Sequence, residues 1–154
     1  MNLPKYDYTP NDNFTNYEFY SDGPNGKIRK MIIFSEAVSK PFLIYNLAFG
    51  DVNEETGDID DAITSNNQDR DKVLATVASS IHDFCDINGN HLIYAEGSSA
   101  ARTRLYQMGI TRNLEEINKE FEIKGLGPNG WEQFQKNVNY KAFLANRKKK
   151  FIFV

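Results

Sequence analysis

The stretch His91–Ile110, HLIYAEGSSAARTRLYQMGI, runs from a short apolar segment through a glycine into residues that favour a helix. The apolar segment, Leu92–Ala95, has the length and composition of a buried central strand. Ser99 can cap the helix that follows, and Gly109 is expected to end it. The stretch therefore predicts a strand, a turn at Gly97 and a helix over Ser99–Gly109.

The start of this helix is a candidate anion site. The first backbone N–H groups of a helix have no partner within the helix, so they attract phosphate or carboxylate groups. Ser98, Ser99, Arg102 and Arg104 stand in the first turns of this helix. We predict that these four residues bind a ligand. In the alternative, the serines only cap the helix and the arginines lie on a solvated face.

The 154 residues predict a single domain over 1–154, with 1–14 as an extended lead-in and 147–154 as a basic and apolar tail. The net charge of −3 provides no global field that would attract nucleic acid or an anionic membrane. Cys85 is the only cysteine, which excludes an intrachain disulfide or a cysteine-based zinc cluster. With neither a signal-peptide pattern nor a bilayer-length apolar run, we expect a cytoplasmic location and no membrane partner.

Strand patterns recur along the chain, and several segments have a helical period. The predicted strands are Tyr17–Tyr20, Lys27–Phe34, Phe42–Phe49, Ile59–Thr64, Leu92–Ala95 and Phe121–Leu126. The predicted helices, besides Ser99–Gly109, are Arg70–Asp86 and Leu114–Phe121, followed by helical pieces at Trp131–Gln135 and Tyr140–Lys150. These elements predict an α+β fold: a mostly antiparallel sheet of five or six strands, packed by two or three helices, with C-terminal helical pieces. Phe42–Phe49 is apolar on both faces and is expected in the middle of this sheet.

The chain offers no assembled nucleophile, base or metal set. The acidic segment Asp51–Asp61 alternates carboxylates, but its glycine is misplaced for a calcium loop and Ala62 replaces the final bidentate Glu. We therefore predict no metal site and no cofactor. The leading hypothesis is a non-catalytic binding or regulatory module whose partner is an anionic small molecule or an acidic protein. The oligomeric state stays open.

The basic C-terminus supports a further hypothesis. Arg147, Lys148, Lys149 and Lys150 follow the aromatic residues of the last predicted helical piece and could bind nucleic acid or an acidic partner. In the alternative, these cations end a solvated helix, where they complement its dipole, and nucleic acid is not a partner.

Four segments resemble an uncharacterised bacterial family of single-domain cytoplasmic proteins. They are FYSDGPNGKIRK (Phe19–Lys30), YNLAFGD (Tyr45–Asp51), VLATVA (Val73–Ala78) and EGSSAARTRLYQMGI (Glu96–Ile110). The resemblance covers nearly the whole chain. It implies a complete natural domain of unknown function and brings no activity with it.

A second, partial resemblance is to the GNAT acyltransferases, over about residues 66–110. A strand, a loop, an amphipathic helix, a strand and a short helix occur in the order of that family, and Leu105-Tyr106 and Gly109-Ile110 match its closing signature. The resemblance implies that Tyr106 protonates the departing CoA thiolate and that acyl-CoA is the cofactor. The loop before Arg70 departs from the family because it carries acidic residues and no glycine. Tyr106 as an ordinary core tyrosine is the alternative.

Overall fold

An open sheet of nine strands, counted over the described residues, forms one layer of the fold. The structure is a computed structural model, and it describes residues 3–60 and 67–148. The strands are β1 (Thr9–Pro10), β2 (Asn16–Gly23), β3 (Gly26–Val38), β4 (Ile44–Val52), β5 (Ile59–Asp60), β6 (Leu92–Ala95), β7 (Phe121–Gly127), β8 (Gly130–Gln133) and β9 (Phe143–Arg147). Their order across the sheet is β1-β2-β3-β4-β6-β9-β7-β8, and β5 pairs with the end of β4. Within this sheet β4 and β6 are parallel, and the other pairs are antiparallel.

Three helices within the described residues form the second layer: α1 (Arg70–Asn88), α2 (Ala100–Arg112) and α3 (Leu114–Glu120). Helix α1 connects the parallel strands β4 and β6, and its apolar period buries Ala78, Ile81 and Phe84. Helix α2 begins where predicted but continues through Gly109 to Arg112, because the chain keeps helical hydrogen bonds until Asn113 donates its N–H to the Gly109 carbonyl. None of the described helices is both long and apolar enough to cross a membrane.

The core lies between the helices and one face of the sheet. Phe34 and Phe84 stack with their ring centroids 4.3 Å apart, which joins β3 to α1. The largest fully buried apolar side chains are Tyr17, Phe19, Phe84, Ile32 and Ile93. The sequence left open which face of β3 points inward; the structure buries Lys30, Ile32 and Phe34 and leaves Met31 and Ile33 half-buried on the opposite face.

The N-terminal lead-in packs on the body as an extended segment. Tyr6 stacks on Phe19 and Tyr8 meets Tyr17 edge to face, with ring centroids 5.7 and 5.4 Å apart. The segment then adds the two-residue strand β1 to the free edge of β2.

The C-terminal part differs from the sequence prediction. The segment predicted as a helical piece at Trp131–Gln135 contains strand β8, and the piece predicted at Tyr140–Lys150 contains β9. Strand β9 enters the sheet between β6 and β7, which raises the number of strands above the predicted five or six. Only the first two residues of the predicted strand Ile59–Thr64 lie among the described residues, as β5, and the tail from Lys149 onward lies outside them.

Candidate functional site

A cavity of about 470 Å³ lies between the sheet and the helical layer; we call it the central cavity. Most of its wall is formed by aliphatic and aromatic side chains from α1, α2, α3 and the inner face of the sheet. Among them are Leu47, Phe49, Leu74, Val77, Ala78, Ile93, Leu105, Ile117, Ile123 and Phe143. A cavity of this size falls in the range of about 300–1,000 Å³ that is usual for small-molecule sites.

Polar residues of the central cavity gather at the carboxyl-terminal ends of the parallel strands. Strands β4 and β6 pair with Leu47 beside Ala95, so Asp51 at the end of β4 and Ser98 after β6 lie in the same direction from this pair. Arg102, in the first turns of α2, also lines the wall. In open sheets with parallel strands, ligands commonly bind in the crevice outside the carboxyl ends of those strands.

The start of α2 packs closely on the preceding turn. The Ser99 hydroxyl accepts the Arg102 N–H at 3.2 Å, and the Gly97 N–H donates to the Thr103 hydroxyl at 3.0 Å. A side chain at Gly97 would place its Cβ 2.4 Å from the Thr103 nitrogen. Ser99 therefore caps the helix, as the alternative interpretation of this sequence expected, and the wall of the cavity is formed instead by Ser98 and Arg102.

The other predicted site residues lie in different places. Arg104 is exposed outside the cavity wall, and its guanidinium donates to the Asn139 side chain at 2.7 Å. Tyr106 is half-buried and lines the central cavity on the same helix as Arg102. The structure thus brings Ser98, Arg102 and Tyr106 to one cavity and separates Arg104 from them.

The described part of the basic C-terminus is bound to its own fold. The Arg147 guanidinium pairs with Asp86 at 2.5 Å and donates to the Asn90 side chain at 2.9 Å. The Lys148 ammonium donates to the Asn118 carbonyl. Lys149 and Lys150 lie outside the described residues. Binding of nucleic acid or an acidic partner by this patch stays a prediction.

A buried ion pair in the cavity wall was missed by the sequence analysis. The Lys30 ammonium lies 2.5 Å from the Asp51 carboxylate, and each residue is only 7% exposed. The same ammonium lies 5.4 Å from the centroid of the Phe49 ring. The available signal was Lys30 itself, which interrupts the inward face shared with Ile28 and Ile32.

A buried polar network adjoins this pair. The Asn67 amide donates to the Ser21 hydroxyl at 3.0 Å and to the Gly26 carbonyl at 2.8 Å. Asp69 accepts hydrogen bonds from the Ser21 hydroxyl at 2.5 Å and from the Tyr6 hydroxyl at 2.7 Å. These contacts tie the loop before α1 to strand β2 and so hold one wall of the central cavity in place.

An ion pair joins two helices of the helical layer. Arg112, at the end of α2, pairs with Asp71 of α1 at 2.8 Å. Partial burial by itself raises the pKa of the Asp71 carboxyl, but hydrogen bonds from Asn113 and Arg112 outweigh it and lower that pKa. At the end of β6, the Tyr94 hydroxyl donates to Glu96 at 2.7 Å, and burial together with this carboxylate raises the pKa of Tyr94 to about 12.

Among the residues at 3–60 and 67–148, no group of three or more His, Cys, Asp and Glu side chains could hold a metal ion. The wall of the central cavity is largely apolar. Polar contacts are available where β4 and β6 end.

These features define a class of protein: an α+β domain whose large, mostly antiparallel open sheet encloses a cavity under three helices. Within that class, the sequence matches a model described as "Family of unknown function (DUF6934)" over residues 2–148, and the chain belongs to this family. The predicted resemblance to a family of unknown function across nearly the whole chain is confirmed. Comparisons with curated proteins and with solved structures give no match. The bacterial source and the GNAT resemblance stay predictions.

Proposed function

We propose that this protein is a binding module for a small molecule with an aliphatic body and an anionic head group. The central cavity, whose largely apolar wall also includes Ser98 and Arg102, is the observation that carries the proposal. Burial of an aliphatic chain contributes about 0.8 kcal/mol per methylene. A guanidinium such as that of Arg102 can hold a carboxylate through two parallel hydrogen bonds.

The cavity wall carries charges of both signs, so the attraction of an anion is assigned to Arg102 and not to a net field. The residues that line the cavity include four cationic and three anionic side chains: Lys30, Arg70, Arg102 and Arg112, with Asp51, Asp69 and Glu96. Opposite charges attract more strongly in a partly enclosed, apolar site than in water.

We further propose a cytoplasmic location, which the single cysteine, Cys85, supports because it is buried and unpaired with another thiol.

A calorimetric titration with straight-chain carboxylates of increasing length tests the proposal. We expect Kd to fall about fourfold for each added methylene, the equivalent of about 0.8 kcal/mol, until the chain fills the cavity. Alcohols of equal length are expected to bind more weakly than the carboxylates. Carboxylates that fail to bind at millimolar concentration, at every chain length, would refute the proposal.

Two arginines on the same helix provide a matched pair of variants. Arg102→Met is expected to remove the preference for carboxylate over alcohol, because Arg102 lines the central cavity. Arg104→Met should keep the preference, because the Arg104 side chain contacts Asn139 outside the cavity wall. Equal effects of the two substitutions would contradict an anion contact at Arg102.

Substitutions at two alanines test whether the aliphatic part of the ligand occupies the central cavity. Ala78 is buried on the cavity wall, whereas Ala101 is exposed on α2 and lies outside that wall. Ala78→Leu is expected to weaken binding of the longest carboxylates most, because the added side chain occupies the space of the ligand. Ala101→Leu should leave the whole series unchanged.

A second candidate function, acyl transfer from acyl-CoA, is supported by Tyr106, which lines the same cavity as Arg102. Acetyl-CoA in the same calorimeter separates the two candidates. Binding of acetyl-CoA that Tyr106→Phe leaves intact, together with transfer activity that it abolishes, would favour the enzyme. Absence of binding at millimolar acetyl-CoA would remove this candidate.

A further inference from the structure

The Lys30–Asp51 ion pair stands in a wall that is otherwise apolar over most of its area. Both side chains are 9% exposed, and their charged atoms are 2.5 Å apart. The ring of Phe49 lies beside the ammonium, and Leu47 and Val73 line the same cavity. The charges therefore lie at the boundary between the apolar space and the polar ends of the strands.

Stability alone does not account for such a pair. Removing two charges from water carries a desolvation penalty that can exceed their mutual attraction. Replacement of a buried ion pair by apolar side chains of similar volume is often neutral or stabilising. A pair kept at the wall of a cavity is better explained by what it contacts within the cavity.

The position of the pair relates it to the proposed anion contact. Lys30 on β3 lies beside Asp51 on β4, and β4 lies beside β6, whose chain continues into Ser98. Asp51 stands on β4, which is one strand spacing of about 4.8 Å from β6. The pair and Ser98 both line the central cavity, in the direction in which β4 and β6 end. A head group with two adjacent polar groups, placed at this end of the cavity, is therefore suited to contact both.

We infer that the Lys30–Asp51 pair recognises a hydroxyl group next to the carboxylate of the ligand, which makes the ligand class an aliphatic 2- or 3-hydroxy acid. A hydroxyl oxygen accepts a hydrogen bond from the Lys30 ammonium, and its O–H donates to the Asp51 carboxylate. The carboxylate of the same molecule lies toward Ser98 and Arg102. This inference rests on the proposed function and adds the chemistry of the head group to it.

Ligands that differ at one group test the inference on the unmodified protein. The probes are decanoate, 2-hydroxydecanoate, 3-hydroxydecanoate and the methyl ether of whichever hydroxy acid binds more tightly. We expect one hydroxy acid to bind at least tenfold more tightly than decanoate, because its hydroxyl gains hydrogen bonds to two charged groups. The methyl ether should lose this advantage, because it has no proton to donate to Asp51.

Two double variants test the residues. Lys30→Met/Asp51→Leu removes the pair, and the expected affinity ratio between hydroxy acid and decanoate falls to about one. Urea unfolding should show a stability equal to or above that of the unmodified protein. The control Arg29→Met/Glu18→Leu removes an ion pair of 2.9 Å between β3 and β2, on the opposite face of the sheet, and should keep the tenfold ratio.

The outcomes separate this inference from the proposal on which it rests. If the protein binds neither decanoate nor a hydroxy acid, the proposed function fails. If it binds all four probes with equal affinity, the inference alone fails. If the double variant does not fold, the comparison of the hydroxy acid with its methyl ether on the unmodified protein tests the inference.

Discussion

Replacement of Gly109 by alanine is expected to stabilise the protein. Gly109 lies in the interior of α2, and its φ is outside the left-handed region, so alanine can adopt its backbone conformation. A Cβ at this position would meet the Leu74 Cδ2 at 3.6 Å, which is ordinary van der Waals contact. Alanine is more favourable than glycine in a helix interior by about 1 kcal/mol. For a chain of this size, that gain raises the melting temperature by about 2–4 °C.

The opposite result is expected at Gly97, just before the same helix. There a Cβ would stand 2.4 Å from the Thr103 nitrogen and 2.8 Å from the Arg102 carbonyl carbon. Both are backbone atoms, so the start of α2 would have to shift, at a cost of about 1–3 kcal/mol. Gly97→Ala therefore serves as the counterpart of Gly109→Ala in the same assay.

The assay is urea unfolding followed by far-ultraviolet circular dichroism. Gly109→Ala should raise the midpoint and leave the slope unchanged, whereas Gly97→Ala should lower the midpoint. Destabilisation by Gly109→Ala would mean that the side of α2 facing Leu74 is already filled. Because Gly109 lines the central cavity, that result would also remove the space on which the proposed function depends.

Two further predictions concern the core. Phe84→Ala is expected to destabilise the fold by about 3–5 kcal/mol, because the ring is fully buried and stacks on Phe34. The control Phe42→Ala, at a residue that is 56% exposed, should change stability by about 0.5 kcal/mol or less. Urea unfolding measures both changes. Burial raises the pKa of Tyr17 to about 12, and its hydroxyl donates to the Phe14 carbonyl at 2.9 Å. The unfolded chain loses this proton near pH 10, whereas the folded chain loses it near pH 12. The stability that neutral Tyr17 contributes is therefore present below pH 10. It is lost between about pH 10 and 12, at up to about 1.4 kcal/mol per pH unit. Tyr17→Phe should show a shallower alkaline loss in unfolding titrations.

Helices and strands could be predicted from the sequence where the order of apolar residues within one segment indicates its type and its place in the fold. Residues 70–86 repeat apolar side chains at helical spacing, and α1 forms there with Ile81 and Phe84 buried. Phe42–Phe49 is apolar on both faces, and the corresponding strand β4 has neighbours on both sides. In the first case the helical period indicates the buried side of the helix, and in the second the apolar composition indicates a strand inside the sheet.

The C-terminal strands could not be predicted in that way. Tyr140, Phe143 and Leu144 are spaced as on one face of a helix, but β9 is a strand that buries Phe143 and turns Leu144 to the other side of the sheet. Its place between β6 and β7 depends on residues far away in the chain. Non-local pairing of this kind leaves little trace in a short window of sequence.

Some features of the candidate site could likewise be predicted from the sequence, and others could not. The cap at Ser99 follows from local chemistry and was within reach of the sequence, whereas the central cavity is formed by residues from both layers of the fold. The sequence places Asp51 in an acidic segment, and its pairing with Lys30 across two strands cannot be seen from either residue alone. The separation of Arg104 from Arg102 could have been predicted, because residues two apart on a helix do not face each other; the contact of Arg104 with Asn139 could not.

The edge strands of the sheet affect how copies of this protein associate at high concentration. The outermost strand on one side, β1, has two residues, and the second of them, Pro10, has no backbone N–H to offer a neighbour. On the other side β8 has four residues and begins at a glycine. Strands so short offer few backbone groups to a second molecule, so where they cover the sheet they limit its growth by strand addition in a crowded solution.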